Sequence, residues 1–334
     1  MNAFAGTSFL LRLALRRDRV ILTGWLAILS GLLLLFTLAF GHALPTHADV
    51  LRETRLMAGN AGFRMLSLPS GASLGGYVMD RSWITLAVLA AVMSILCVTR
   101  HTRQNEETGG AELLRAGVVG PCAPLAAAVT VALGADLVLA PLSALGMMAA
   151  GQPATGSVAA GAAITAVGVV FTGVAAVTAQ LSRSARGASG LAFAALAVSF
   201  LLSGLGNMLG HTDAAGTVAY SAWPGWATPV GWGYQLRPFG DEHWWVLYLV
   251  AACTAALLAV AARLALRRDL GAGVLPERAG RQQASTLLLL PSGLGLAWRL
   301  QRPAFFGWLA ATLVSYFLLT QLVKSWFARR FGFN

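Results

Sequence analysis

Apolar residues occur in seven long runs, and polar residues are confined to the short segments between them. A helix needs about 20 apolar residues to cross the hydrocarbon core of a bilayer, and no stretch alternates with period two over the length of a barrel strand. The pattern therefore predicts an all-α polytopic membrane protein. The predicted spans are residues 20–41, 82–99, 122–149, 157–181, 188–209, 244–262 and 304–323.

The basic residues between the runs indicate the orientation of the chain. When the N-terminus is placed inside the cell, the inner segments hold 16 Arg residues and the outer loops hold 5, while Lys324, Arg329 and Arg330 form the tail. Short cytoplasmic segments are enriched in Lys and Arg. The asymmetry therefore predicts a multi-pass protein of the inner (plasma) membrane with a cytoplasmic N-terminus.

Composition supports a membrane location and argues against other classes of protein. The 334 residues are 57% hydrophobic and 11% charged, whereas soluble domains carry about 25% charged residues. The net charge of +11 lies beside the apolar runs, where it sets orientation, so a nucleic-acid partner is not expected. Cys97, Cys122 and Cys253 lie in or beside apolar runs without a CxxC pair, which indicates neither a disulfide framework nor a zinc site.

The chain contains an internal repeat. Residues 11–27 match residues 294–310 at nine of 17 positions without a gap. The second copy lies in mid-chain, so the first copy is expected to be a retained helix and not a cleaved signal peptide, whose apolar run is also shorter. Six predicted helices separate the two copies, which therefore enter the membrane in the same direction, as in a parallel repeat. The expectation is one six-helix unit followed by the first helix of a second unit that stops early.

The segment after the second run, residues 100–117, is the most informative polar segment. It reads RHTRQNEETGGAELLRAG. Its charged residues match the polar face of a short interfacial helix, with Leu113 and Leu114 toward the membrane. Two interpretations are open, a solvated connecting loop and a docking element for a cytoplasmic partner.

This segment resembles the coupling segment of type-2 ABC exporter permeases, in the branch that exports polyketide or tetronasin-type antibiotics. Two other segments are similar to the same family. Residues 4–19, which carry several Arg side chains, resemble its elbow helix, and residues 228–239 (TPVGWGYQLRPF) resemble its P-x-G-W…R-P-F element before the sixth helix. The family is built from two tandem six-helix halves, in agreement with the repeat. The chain departs from that pattern because most of the second half is absent.

The resemblance implies four parts and one functional surface. Residues 1–19 would form an amphipathic cytoplasmic elbow segment and residues 20–266 a six-helix transmembrane unit of the ABC-2 type. Residues 267–302 would form a basic cytoplasmic linker, and residues 303–334 the first helix of a truncated second repeat with its tail. The implied ATPase-coupling residues are Arg103, Glu106, Glu107, Gly109, Glu112 and Arg115.

The implied function is that of the transmembrane permease subunit of an ATP-driven exporter of hydrophobic small molecules, antibiotics among them. A P-loop requires a Lys after its glycines, and the only Lys in the chain, Lys324, follows no glycine run. ATP is therefore expected to be hydrolysed by a separate ABC ATPase subunit, and the chain itself is expected to be neither an enzyme nor a cofactor-binding protein. The other expected partners are the lipid bilayer and either a second permease half or a second copy of the chain.

Asp136 is the one ionisable residue predicted deep in a span. An intramembrane acid indicates function by default, but a structural acid bonded to nearby hydroxyl groups is an equally open interpretation. The histidines are scattered and no HExxH or G-x-S-x-G motif occurs, so no catalytic residue and no metal site is predicted. Two rival functions stay open, a membrane-embedded enzyme and a non-transporting or degenerate scaffold subunit.

Overall fold

The structure is a computed structural model that describes residues 3–107 and 119–267, together with Trp298 and Gln301. Within these ranges six helices are long and apolar enough to cross a membrane, which confirms the predicted all-α polytopic membrane protein. The helices are α1 (Thr7–Ala43), α2 (His47–Gly59), α3 (Ala61–Arg64), α4 (Leu74–Thr99), α5 (Asn105–Glu107), α6 (Ala123–Ala149), α7 (Ala154–Leu181), α8 (Ala185–Leu209), α9 (Trp223–Trp226), α10 (Pro229–Gln235) and α11 (Val246–Arg267). A π-helical turn, Arg100–Gln104, connects α4 to α5.

The first helix is longer than the sequence predicts. An elbow segment over residues 1–19 and a separate span from residue 20 were expected, whereas α1 runs unbroken from Thr7 to Ala43. No proline separates the basic residues from the apolar ones, so backbone hydrogen bonding continues across the boundary. At about 1.5 Å per residue, the 37 residues of α1 extend over about 55 Å, well beyond a hydrocarbon core of about 30 Å.

Other spans also extend past their apolar runs. α4 begins at Leu74, before the predicted start at residue 82, and includes Asp80 and Arg81. α11 continues to Arg267, beyond the predicted end at residue 262. An apolar run marks only the part of a helix that lies in hydrocarbon, while backbone hydrogen bonding carries the helix into flanking polar residues. The predicted seventh span, residues 304–323, and residues 268–297 of the predicted linker lie outside the described residues.

α7 is the central helix of the bundle. It contacts α4, α6, α8, α10 and α11, and its sequence is rich in Gly, Ala and Thr, whose small side chains allow helices in a membrane to approach closely. A Cβ atom at Gly161 would overlap the carbonyl oxygen of Ala140 in α6. The close crossing of α6 and α7 therefore depends on the absence of a side chain at this position.

The long helices alternate in direction, which gives the bundle two ends. One end, here called the arginine-rich end, contains the start of α1, the π-helical turn, the junction of α7 with α8 and the end of α11. Its basic residues in the described ranges are Arg12, Arg16, Arg17, Arg19, Arg100, Arg103, Arg183, Arg186, Arg263 and Arg267. The opposite end contains α2, α3, α9 and α10.

The opposite end also carries a small β-ribbon that the all-α prediction did not include. β1 (His211–Thr212) pairs in antiparallel fashion with β2 (Ala219–Tyr220). Asp213 closes the connecting turn, because its carboxylate accepts hydrogen bonds from the backbone N–H groups of Val218 and Thr217 at 2.9 Å and 2.8 Å. These bonds, chiefly the one from Val218, stabilise the charged form and lower the pKa of Asp213.

Candidate functional site

The predicted coupling segment begins inside the helical bundle. The sequence predicts a polar connection after residue 99, whereas helical structure continues from α4 through the π-helical turn into α5. π-helical turns are rare and occur frequently at functional sites. Here His101, Thr102 and Arg103 are consecutive and all buried, so this part of the segment is enclosed on several sides. Gly109, Glu112 and Arg115, the remaining predicted coupling residues apart from Glu106 and Glu107, lie outside the described residues.

Arg103 connects this segment to α7. Its side chain is fully buried, and its guanidinium donates hydrogen bonds to the carbonyl oxygens of Ala179 and Gln180, the latter at 3.4 Å. Nη1 also lies 2.9 Å from Oε2 of Glu106. A cation at the C-terminus of a helix is favourable because the last carbonyl groups have no partner within the helix. Arg103 therefore stabilises the segment from inside and does not present its own charge to a docking partner.

Glu107 connects the same segment to α8. The side chain is exposed, and its Oε1 accepts a hydrogen bond of 2.8 Å from the backbone N–H of Ala185, the first residue of α8. Ser184 caps the same helix, because its Oγ accepts from Gly187 N–H at 3.0 Å. A carboxylate interacts favourably with the N-terminus of a helix. Arg103 and Glu107 together join the segment to both helices of the α7–α8 hairpin.

Asp18 connects the segment to α1 and was not predicted as a site residue. It is only 1% exposed. Its Oδ2 lies 2.7 Å from Nε2 of His101, and its Oδ1 lies 3.4 Å from Nε of Arg100. The preceding residue, Arg17, donates a hydrogen bond of 2.9 Å to Oδ1 of Asn105. The two residues of α1 thus bind both the π-helical turn and α5.

A sequence signal for Asp18 exists in the spacing of α1. The buried residues Leu10, Ala14, Asp18 and Leu22 recur every four positions, which places them on one face of a helix. An acid on the apolar stripe of a helix requires a buried partner, so the stripe itself indicates an ion pair. The amphipathic cytoplasmic elbow predicted for residues 1–19 ends before the helix does, so the apolar stripe was not followed through the arginines.

Asp18, Cys97 and His101 are the ligand types of a zinc site, and their candidate ligand atoms lie within 4.8 Å of one another. The geometry accounts for Asp18 and His101 without a metal. Asp18 already has His101 and the guanidinium of Arg100 as partners, and a neighbouring guanidinium opposes the binding of a second cation. We therefore describe the group as an ion-paired cluster.

A cavity of about 240 Å³ lies beside this cluster, between α1 and the start of α6. Leu10, Leu13 and Leu125 contribute apolar wall, while Arg17 and Asn105 contribute polar groups.

Asp136 lies at a junction of three helices in the middle of the bundle. It belongs to α6 and is fully buried. Its Oδ1 lies 3.0 Å from the hydroxyl of Ser94 in α4, and its Oδ2 accepts a hydrogen bond of 3.1 Å from the hydroxyl of Thr172 in α7. Thr165 of α7 donates to the backbone carbonyl of Asp136 at 2.9 Å. These contacts match the structural interpretation, in which the acid holds neighbouring helices together.

Asp80, near the start of α4, is another buried acid. Its carboxylate accepts a hydrogen bond from the backbone N–H of Leu68. Nearby, the Tyr234 hydroxyl donates to the carbonyl oxygen of Leu66 at 2.9 Å. The apolar run begins at residue 82, so hydropathy predicts a loop at Asp80. In the structure Asp80 belongs to α4 and anchors the chain that leads into this helix.

The segment that resembles the P-x-G-W…R-P-F element lies at the opposite end of the bundle and is held in an unusual conformation. Arg237 and Phe239 both have positive φ angles, 54° and 63°, which bulky residues rarely adopt. The ring of Phe239 occupies the space that a Cβ atom would need at Gly75 of α4 and at Gly156 of α7. Phe239 thus packs between the ends of two helices.

No protein-family model matches the sequence. A comparison with curated proteins shows 40% identity, over an alignment of 315 positions, to the multidrug efflux system permease protein Rv1217c of Mycobacterium tuberculosis. The chain is similar to an efflux permease. The match covers 92% of this chain and 54% of that protein, so the chain spans about half the length of the curated relative it matches.

The similarity to an efflux permease is broad but limited in detail. It extends over most of the chain, and the six long apolar helices agree with a multi-pass membrane protein. The name of the relative specifies multidrug efflux and does not specify polyketide or tetronasin-type antibiotics. The assignment to that branch, which rests on residues 100–117 and 228–239, stays a prediction.

Proposed function

We propose that the chain is the transmembrane permease subunit of an ATP-driven exporter of hydrophobic small molecules, with antibiotics as the expected class. The observation that carries the proposal is the set of contacts at the arginine-rich end, where Asp18, Arg103 and Glu107 join one partly exposed segment to α1, α7 and α8. The 40% identity to an efflux permease supports the transport role.

In the proposed orientation the arginine-rich end faces the cytoplasm. The excess of Arg at this end of the helices follows the positive-inside rule. It places the exposed side chains of Gln104 and Glu107 in the compartment that contains ATP, and it places α2, α3 and the β-ribbon outside.

ATP hydrolysis is assigned to a separate ABC ATPase subunit, which docks on residues 106–115 and on the start of α1. When the ATPase closes on ATP, it displaces this surface. Arg103 and Glu107 transfer the displacement to the α7–α8 hairpin, because their contacts lie at its two helix ends. Rigid-body movement of helices is an ordinary means of switching between two packings.

The interior of the bundle favours an uncharged or amphipathic substrate. Asp80 and Asp136 are bonded to backbone or hydroxyl groups of the protein. The stretch of α4 between Asp80 and Ser94 contains buried Leu86, Ala87 and Ala90, so no continuous polar path connects the two carboxylates along this helix. A proton relay requires a continuous series of polar groups. The arrangement therefore favours transport of apolar molecules and argues against a proton relay.

A complete exporter of this kind needs a second permease half. The curated relative is about twice as long as the matched chain, and residues 294–310 repeat residues 11–27. A second half or a second copy of the chain is the proposed partner in the bilayer.

Copurification and drug accumulation test this function together. A P-loop ATPase is expected to copurify with the tagged chain, and cells that contain both are expected to accumulate less of an amphipathic drug than cells without the chain. Glu107→Lys places a cation at the N-terminus of α8, so it should reduce ATPase recovery and restore accumulation toward the level without the chain.

Asp241→Asn is the matched control, because Asp241 is exposed at the opposite end of the bundle, and this variant should behave as the wild-type chain. Accumulation that is unchanged by the wild-type chain would contradict export. Recovery of an ATPase without any change in accumulation would favour the scaffold alternative.

A further inference from the structure

We propose that Asp18 is a positioning residue that makes α1 and the predicted coupling segment move as one body. This inference rests on the proposed function, because it concerns how the ATPase drives the helices. The hydrogen bonds described above join Arg103 and Glu107 to α5, α7 and α8, and not to α1. The inference supplies the connection to α1.

The position of Asp18 is energetically demanding. A carboxylate that is 1% exposed has lost most of its hydration, and this loss is offset only by well-placed partners. The partners come from the π-helical turn, with His101 Nε2 at 2.7 Å and Arg100 Nε at 3.4 Å. Separation of α1 from this turn would break both contacts of the carboxylate, so the two elements resist separation.

The contact also fixes the register of α1. The neighbours of Asp18 on the same face of the helix are Leu10, Ala14 and Leu22, and apolar packing is non-directional, so it allows small shifts along the helix axis. Hydrogen bonds and ion pairs have narrow distance and angle requirements. Apolar packing alone would let α1 slide against the π-helical turn. The Asp18–His101 contact prevents this sliding, so a movement of the turn is passed on to α1.

The π-helical turn explains why this contact forms here. It replaces the regular turn after Thr99, and His101, Thr102 and Arg103 are buried in succession. His101 contacts α1 while Arg103 contacts the end of α7. One short turn thus places α1 and α7 on either side of the same segment.

Asp18→Asn tests the inference in proteoliposomes that contain the chain with its copurifying ATPase. The substitution keeps the side-chain shape and removes the charge. We expect the ATPase to bind and hydrolyse ATP as in the wild-type complex, while the amount of drug transported per ATP falls by about tenfold, within the usual range of coupling between sites. Asp241→Asn is the control that removes an exposed carboxylate at the opposite end, and its ratio should not change.

A reversed pair keeps the test decisive if the single variant folds poorly. In the double variant Asp18→His with His101→Asp, the acid and the imidazole exchange places, and the transport-to-ATP ratio should recover, whereas His101→Asp alone should lower it. Thermal unfolding of each purified variant is measured alongside.

The outcomes separate the two proposals. If the wild-type complex shows no ATP-dependent transport, the proposed function itself is wrong. If the wild-type complex transports drug and Asp18→Asn leaves the ratio unchanged, the positioning role of Asp18 is wrong and export stands. The positioning role would also be overturned if Asp18→Asn lowered transport, ATP hydrolysis and thermal stability together while the amount of drug transported per ATP stayed constant, and if the reversed pair did not recover.

Discussion

Three acidic residues show how buried carboxyl groups are tolerated in an apolar protein. Asp18, Asp80 and Asp136 are all buried, and each has donors from a different part of the chain. A buried carboxylate without donors is costly. Each acid therefore marks a place where two or more segments are fastened together, and at Asp136 these segments are α4, α6 and α7.

Asp136→Ala is expected to destabilise the bundle without a specific loss of coupling. It removes the acceptor for Ser94 and Thr172, and interhelical hydrogen bonds in membrane proteins contribute about 0.6 kcal/mol each, so the free energy of unfolding should fall by about 1–2 kcal/mol. Denaturant unfolding of the purified protein in detergent measures the change.

Gly168 of α7 provides the matched variant for this experiment. A Cβ atom at Gly168 would overlap the carboxylate of Asp136. Gly168→Ala should therefore destabilise the wild-type chain and destabilise the Asp136→Ala background much less, which a double-mutant cycle detects. If Asp136→Asn abolished transport without changing the stability of the protein, Asp136 would instead have a functional role.

At the scale of elements, the opposite end of the bundle depends on a ring held between two helices. Phe239 packs against Gly75 near the start of α4 and Gly156 near the start of α7. The adjoining backbone is fixed by a hydrogen bond of 3.1 Å from the Ser70 hydroxyl to the carbonyl oxygen of Pro238. Backbone in rarely occupied conformations persists only where its surroundings determine it, so this segment sets the separation of α4 and α7.

Gly156→Ala should lower the free energy of unfolding by about 1–3 kcal/mol, the usual cost of overpacking, because its Cβ atom would overlap the Phe239 ring. Gly134→Ala is the control, since the same substitution in α6 meets no atom within 4 Å and should be neutral or stabilising by up to about 1 kcal/mol. Thermal unfolding compares the two. Equal unfolding temperatures for both variants would show that Phe239 does not fill this space.

On the scale of the whole molecule, the orientation is directly testable by cysteine labelling. In a background without Cys97, Cys122 and Cys253, Asp241→Cys should react with a membrane-impermeant maleimide in intact cells. Gln104→Cys should react only after the membrane is permeabilised, because the arginine-rich end is predicted to face the cytoplasm. Labelling of Gln104→Cys in intact cells would reverse the proposed orientation and remove the ATPase-docking surface.

Hydropathy alone predicts the class of the molecule and the approximate positions of its long helices. The six described spans fall where apolar runs of about 20 residues occur, because hydrocarbon selects helices with internally satisfied backbones. Their ends are less predictable. Asp80 and the charged residues between positions 12 and 19 lie in helices, and hydropathy does not record a helix that continues past its apolar run.

The candidate site was predictable as a location and not as a set of contacts. The charged segment after α4 could be found by composition, but the inward direction of Arg103 results from the π-helical turn and from the carbonyl groups at the end of α7. The pairing of Asp18 with His101 joins positions 83 residues apart. Such a contact follows from tertiary packing, although the four-residue spacing from Leu10 to Asp18 signals that a partner is needed.

The unbroken length of α1 carries one further consequence. The helix touches His101 through Asp18 toward one end and packs Phe40 edge-on against the Tyr77 ring toward the other, with 5.4 Å between ring centroids. Because α1 contains no proline, it is expected to tilt as a rigid helix. A tilt that begins at one side of the membrane therefore also moves the part of α1 at the other side. Under the proposed function, an antibody fragment that immobilises the helical turn around Phe40 is therefore expected to slow transport, although it binds at the end of the bundle opposite the ATPase.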